Sequence, residues 1–238
     1  MVTDGQMAAQ VSAFLPLLER AVDAVLDAPC TSTGTALAEL SLSLGLVEER
    51  LVALVRAEAA GQSCSGLVRP LVDAGESHAG DDLSGEIAAL LTRLRADASA
   101  AVPPGQVGAA APRATVAAVA NMLLRRGGAK DNNNTAHLQT ALSFLRAGTL
   151  DCLGLATTTA IAVGLLLEDA GLCESEHPLT TLSVQLSEDH CWLGWREADG
   201  SQCTAEIAVS EKKVTAAAEV TAEARQAWLY LGGKHVSW

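Results

Sequence analysis

The chemistry of this chain concentrates in Leu186-Ser187-Glu188-Asp189-His190-Cys191-Trp192-Leu193-Gly194-Trp195, within a chain rich in alanine, leucine and valine. An imidazole beside a turn rich in acceptors can be held in one tautomer and act as a base or as a hydrogen-bond partner. The same His190 also suits a plainer role, a half-buried histidine satisfied by its neighbours. Glu206, in Thr204-Ala205-Glu206-Ile207, supplies a carboxylate further on, and Cys152 and Cys191 are the thiols that could be activated near it. A zinc site from Cys152, His190, Cys191 and Cys203 lacks paired-ligand spacing, so neither a metal nor any other cofactor is expected. The six cysteines, with no CxxC among them, read as reduced thiols that fill space as small hydrophobes.

Period-two alternation makes Thr180 to Leu186, Cys191 to Trp195 and Cys203 to Val209 strands. Ser187-Glu188-Asp189 turns between the first two, so His190 opens the second, and Asp199-Gly200 is the hairpin signal between the second and third. Ahead of them, Asp151 to Leu167 reads as a buried helix that starts near Asp151 or Gly154 and ends at Gly171. Its uncharged run is shorter than the roughly 20 residues a membrane-spanning helix needs.

Earlier segments are helical by period: Phe14 to Leu26, a stripe of Leu37, Leu40, Leu44, Val47, Leu51 and Leu54, and Leu83 to Ala101. Ala59 to Asp82 reads as a long loop. Helices at Ala114 to Arg126 and Thr135 to Ala147 follow, the second capped by Asn134 or Thr135. A helix from Val214 to Gln226 and a short strand, Trp228 to Leu231, close the chain. The prolines and glycines of Ala101 to Pro112 mark a boundary between a helical domain, residues 1–105, and a second domain, residues 106–238.

Buried helix, strand with His-x-Trp, hairpin, strand with an acid: that order resembles the transglutaminase-like and papain-like cysteine enzymes, whose cysteine sits at the amino end of the helix. Aligned on Gly154-Leu155-Ala156, the nucleophile's place holds alanine. Helical geometry then turns Cys152 off that line and strand alternation turns Cys191 away from His190's side, so no enzymatic activity is expected.

More specific is a resemblance to the menin family. It is carried by Leu40-Ser41-Leu42-Ser43-Leu44-Gly45-Leu46-Val47-Glu48, by His137-Leu138-Gln139 with Ser143-Phe144, by Leu186 to Trp192, by Thr204-Ala205-Glu206 and by Trp228-Leu229-Tyr230-Leu231, in the same order across nearly the whole chain. The resemblance implies an α+β protein: a helical amino-terminal domain, then a degenerate transglutaminase-like (papain-like) domain with a small antiparallel sheet. It further implies a non-enzymatic nuclear scaffold of chromatin and transcription regulation. One wall of its cavity would bind peptides of mixed-lineage-leukaemia-type histone methyltransferases or of JunD. The matching wall residues are Ser187, Glu188, Asp189, His190 and Cys191, with Asn134 and Leu153 nearby. Asn134 stands where animal menins carry an acid and Leu153 where they carry a serine, which thins the polar contacts. The helical-repeat domain that supplies the opposite wall would begin about where this chain ends, as expected of either a fragment or a short divergent relative.

A formal net charge of −12 disfavours direct binding to nucleic acid or to an anionic membrane. It favours a basic or neutral peptide. The amino terminus lacks the positive region of a secretory signal, and no basic cluster directs nuclear import, so a nuclear location follows from the resemblance alone. The alternative function, a cysteine-dependent acyl transferase, would use Cys191 or Cys152 with His190 and Glu206.

Overall fold

The computed structural model describes residues 33–60, 79–128, 140–148, 151–173, 175–186, 191–208, 213–216 and 236–237. Among them the helices are α1 (Thr33–Ala59), α2 (Ala79–Ala101), the single turn α3 (Pro104–Val107), α4 (Pro112–Arg126), α5 (Ala141–Ala147) and α6 (Cys152–Asp169). A 3-10 turn at Pro178–Thr181 leads into strands β1 (Ser183–Leu186), β2 (Cys191–Arg196), β3 (Gln202–Ala208), β4 (Lys213–Ala216) and β5 (Val236–Ser237). The strands form one antiparallel sheet in the order β4-β3-β2-β1-β5. The class is α+β, as expected.

α6 is the centre of the molecule. Its sequence is apolar around most of its circumference, as a largely enclosed helix must be. Leu155, Ala162, Val163, Leu165 and Leu166 are all inaccessible to solvent, and α6 touches α1 to α5 as well as β1, β2 and β3. Its two buried threonines satisfy their own hydroxyls one turn back: Thr158 Oγ1 donates to the Gly154 carbonyl at 2.6 Å and Thr159 Oγ1 to that of Leu155 at 2.7 Å. Among the described residues α6 is the one helix long and apolar enough to cross a membrane, but its surroundings are protein on most sides. That enclosure supports the reading as a core helix.

α1 does not bury the expected stripe. Leu37 and Leu44 are about half exposed, at 47% and 48%, whereas Ala38, Leu42 and Leu46 face the core. Small residues explain the rotation. A Cβ on Gly34 would lie 2.9 Å from the Gly164 backbone, so α1 and α6 meet at backbone distance there, and a leucine stripe could not come so close. α2 buries the face its period predicts, through Ile87, Leu90, Leu91 and Leu94.

The connection from Ala101 to Pro112 is not an exposed linker. Val102 and Val107 are buried in it, and Pro104 opens α3 at a position that needs no N–H donor. One apolar cluster runs from Leu42 on α1 through Leu94 and Leu155 to Ala205 on β3. Residues on both sides of position 105 therefore contribute to a shared core.

Three further expectations need correction or qualification. α5 starts at Ala141 and is capped by Thr140, whose hydroxyl accepts from Ser143 N at 3.1 Å while Ser143 Oγ accepts from Thr140 N at 3.2 Å. This reciprocal box satisfies two otherwise unpaired donors, while Asn134 and Thr135, the caps expected from the sequence, lie outside the described residues. Residues 213–216 are strand rather than the start of a helix, because Ile207↔Val214 and Ala205↔Ala216 extend the sheet. Pairing with β3 outweighs the helical propensity of alanine. The expected strand from Thr180 is a 3-10 turn up to Thr181, where Pro178 sets the backbone. The Asp199-Gly200 turn is as expected, with Gly200 at φ 81° and Ser201 N donating to Asp199 Oδ1 at 2.9 Å. The loop expected at Ala59 to Asp82 is helical at its described ends, since α1 runs to Ala59 and α2 starts at Ala79; the rest of that loop, the helix at Phe14 to Leu26, the rest of the helix to Gln226 and the strand at Trp228 to Leu231 lie outside the described residues.

Candidate functional site

The amino-terminal mouth of α6 is where the described chemistry gathers. Asp151 is the N-cap, its Oδ1 accepting from Gly154 N at 2.8 Å. Gly154 is required by crowding: a Cβ there would sit 2.9 Å from both the Thr140 carbonyl oxygen and Asp151 Oδ2. The cap of α5 is thus pressed against the first turn of α6. Asp151 Oδ2 is buried without a hydrogen-bond partner among the described residues. Burial pushes the carboxyl up to about 6, helped by the neighbouring Cys152 thiol and opposed by the backbone N–H groups of Gly154 and Leu153.

Cys152 is the first residue of α6, not a residue displaced from it. Ala156, at the place the alignment gives the nucleophile, lies in the second turn, 1% exposed, while Cys152 lies in the first. The cap decides this, because Asp151 ends the extended segment one turn earlier than a start at Gly154 would. Leu153, half-buried, packs against the core beside it.

Opposite the mouth, β2 begins at Cys191, which pairs with Leu186 of β1 and is buried at 4% exposure. Cys191, Leu193 and Trp195 join the core cluster, so their side of the sheet faces α6. A side-chain hydrogen bond with Cys152, then burial and the negative groups Asp151 and Glu206, push the Cys191 thiol up, out of the ordinary thiol range. Cys191 is therefore a poor nucleophile. Glu206 alternates with the core-facing Ala205 and Ile207, which puts it on the sheet face with Thr204, away from α6.

Of the expected wall residues, Leu153 lies in the first turn of α6 and Cys191 at the start of β2, both against the same core cluster. Ser187, Glu188, Asp189, His190 and Asn134 lie outside the described residues. Cys203 pairs with Trp195 and takes a hydrogen bond from Arg113 Nη2 at 3.4 Å. It lies four residues along the strands from Cys191, on the order of 13 Å, too far to share a ligand with it. Sequence reasoning missed Asp151 as a chemically distinctive group. The signal was present in Asp151-Cys152-Leu153-Gly154, an acid three residues before a glycine whose N–H it caps.

A family model described as Menin matches residues 11–238, nearly the whole chain. The chain belongs to the menin family. No curated protein matches it. Membership of the menin family carries, at a general level, a part in transcription regulation through contacts with other proteins.

Proposed function

We propose that this menin-family chain is a non-enzymatic interaction module of chromatin regulation, acting in the nucleus. Its transglutaminase-like half would present one wall of a groove for basic peptides of histone methyltransferases of the mixed-lineage leukaemia type, or of JunD. The family match over residues 11–238 carries the reading. The antiparallel pair Leu186↔Cys191 supports it further, because it joins the two described residues that flank Ser187, Glu188, Asp189 and His190 in the sequence. Acidic groups there complement a basic ligand.

The test is a fluorescence-anisotropy titration of a labelled basic peptide carrying an aromatic anchor, taken from such a methyltransferase, into the full chain. Simultaneous replacement of Glu188, Asp189 and His190 by alanine should weaken binding about tenfold or more with an unchanged circular dichroism spectrum. Equal affinity of the triple variant and the parent would remove the reading.

One observation favours a second reading, acyl transfer by a thiol. Cys152 stands at the amino end of a buried helix, where the dipole favours thiolate. The Asp151 carboxylate beside it works against that ionisation, which is why the binding reading is preferred. If Cys152 were such a nucleophile, an activated ester offered to the reduced protein would leave an acyl group on Cys152, dischargeable by hydroxylamine. Absence of that adduct would eliminate acyl transfer.

A further inference from the structure

α1 is apolar on two opposite faces. Ala38, Leu42 and Leu46 turn toward the core, while Leu37 and Leu44, two helical turns apart on one line, turn away from it. They are the two large apolar side chains left exposed among the described residues, and the half-buried Leu40 lies between them. α6, α5 and α2 are the described elements that pack most on α1, and with all three in place Leu37 and Leu44 remain about half exposed. A second apolar stripe needs a second cover.

The chain that precedes α1 carries the complement. Residues 1–32 lie outside the described structure and lead directly into α1, and the expected helix from Phe14 to Leu26 belongs to them. Its Leu18, Val22 and Val25 are spaced four then three, which is the spacing of Leu37, Leu40 and Leu44 run backwards. An antiparallel helix therefore sets Leu18 against Leu44, Val22 against Leu40 and Val25 against Leu37, level by level. Glu19, Arg20 and Asp23 fall on the opposite side of that helix, and Pro16 falls in its first turn, where a missing N–H costs little. The connection, residues 27–32, has the ordinary length for joining neighbouring antiparallel helices whose axes lie about 10 Å apart.

We propose that the outer face of α1 is the seat of the chain's own amino-terminal helix, residues 14–26, which closes over Leu37, Leu40 and Leu44 as an antiparallel hairpin. A second copy of the chain fits the face less well. Laid antiparallel on itself, α1 sets Leu37 against Leu44 but Leu40 against Ser41, a hydroxyl on a leucine. The tether also favours the chain's own segment, because a short connection holds it at an effective concentration on the order of millimolar. This inference does not rest on peptide docking, which involves neither helix.

The experiment places one reporter thiol at a time in the full chain, Leu44→Cys on the seam or Glu39→Cys at an exposed position of the same helix, and follows alkylation by iodoacetamide, resolved by site with mass spectrometry. With the hairpin closed, Leu44→Cys should react at least about tenfold more slowly than Glu39→Cys. Adding Leu18→Asp puts a carboxylate into the seam and should bring Leu44→Cys to within about threefold of Glu39→Cys. Should Leu18→Asp unfold the chain, hydrogen exchange of the parent decides: the amides of Leu18 to Leu26 should be protected as strongly as those of α1, and free-peptide rates there would overturn the proposal. Equal labelling rates in the first comparison would overturn it as well. So would slow labelling that Leu18→Asp leaves unchanged, or slow labelling that disappears on about hundredfold dilution, the sign of a second copy on the face.

Discussion

At the scale of single residues, Asp151 carries the clearest consequence. Its carboxyl protonates at about 6 in the folded chain, above the ordinary range near 4 of an unfolded one. The native state thus binds the proton more tightly, so this group's contribution is complete below about pH 4 and is lost as pH rises through about 6. Discounted for partial exposure, the loss is on the order of 1–2 kcal/mol. Asp151→Asn keeps the oxygen that caps Gly154 N and removes the charge. Urea midpoints taken across that pH range should show the variant with the flatter profile, and the more stable protein above pH 6. Parallel profiles would mean that the buried oxygen is solvated.

The elements are positioned by what their small residues allow. At Gly34 an added methyl would meet the Gly164 carbonyl carbon at 2.9 Å and its oxygen at 3.0 Å, both backbone atoms that cannot rotate aside. Gly34→Ala should therefore push α1 off α6 and lower stability by about 1–3 kcal/mol. Gly85, inside α2, has nothing within 4 Å of the same added atom. Gly85→Ala should raise stability by about 0.5–1 kcal/mol, since alanine relieves the entropic penalty of a glycine in a helix. Thermal melts of the pair check both signs. The leucine period of α1 was legible, but the face it buries was not: Ala38, Leu42 and Leu46 face the core beside the close approach at Gly34, while Leu37 and Leu44 turn outward. β4 was misread because it leads into an alanine-rich stretch of sequence, and pairing with β3 makes Lys213–Ala216 a strand.

For the molecule as a whole, the carboxyl end of α6 is held by charges from distant parts of the chain. Arg95 of α2 reaches Glu168 at 2.9 Å, Asp169 at 2.5 Å and Thr35 Oγ1 at 2.9 Å, and Glu168, 8% exposed, also accepts from Thr35 N at 2.7 Å and Thr35 Oγ1 at 2.5 Å. Removing the guanidinium leaves a buried carboxylate short of its counter-charge. Arg95→Leu should cost about 1–3 kcal/mol in chemical denaturation, more than the same change at the ion pair of Arg126 with Asp97, whose acid is 43% exposed. We retain residues 1–105 and 106–238 as proposed units of composition, sharing one core. A fragment of residues 106–238 alone would expose the α6 surfaces that α1 and α2 cover, and calorimetry should find no sharp unfolding transition in it.

What the sequence determined by itself was local and periodic: an apolar run between Asp151 and Glu168 that had to be buried, alternating segments around Trp192 and Cys203 that had to pair, and the residues that align the chain with the menin family. Apolar patterning suffices for these because each helix or strand states its own period. Only the tertiary structure decided that α5 begins at Ala141 behind its Thr140 cap, that α1 turns Leu37 and Leu44 outward, and that Arg95 of α2 reaches Glu168 and Asp169 at the far end of α6. Those depend on which backbones can approach, and the distance between elements is written in no single one of them.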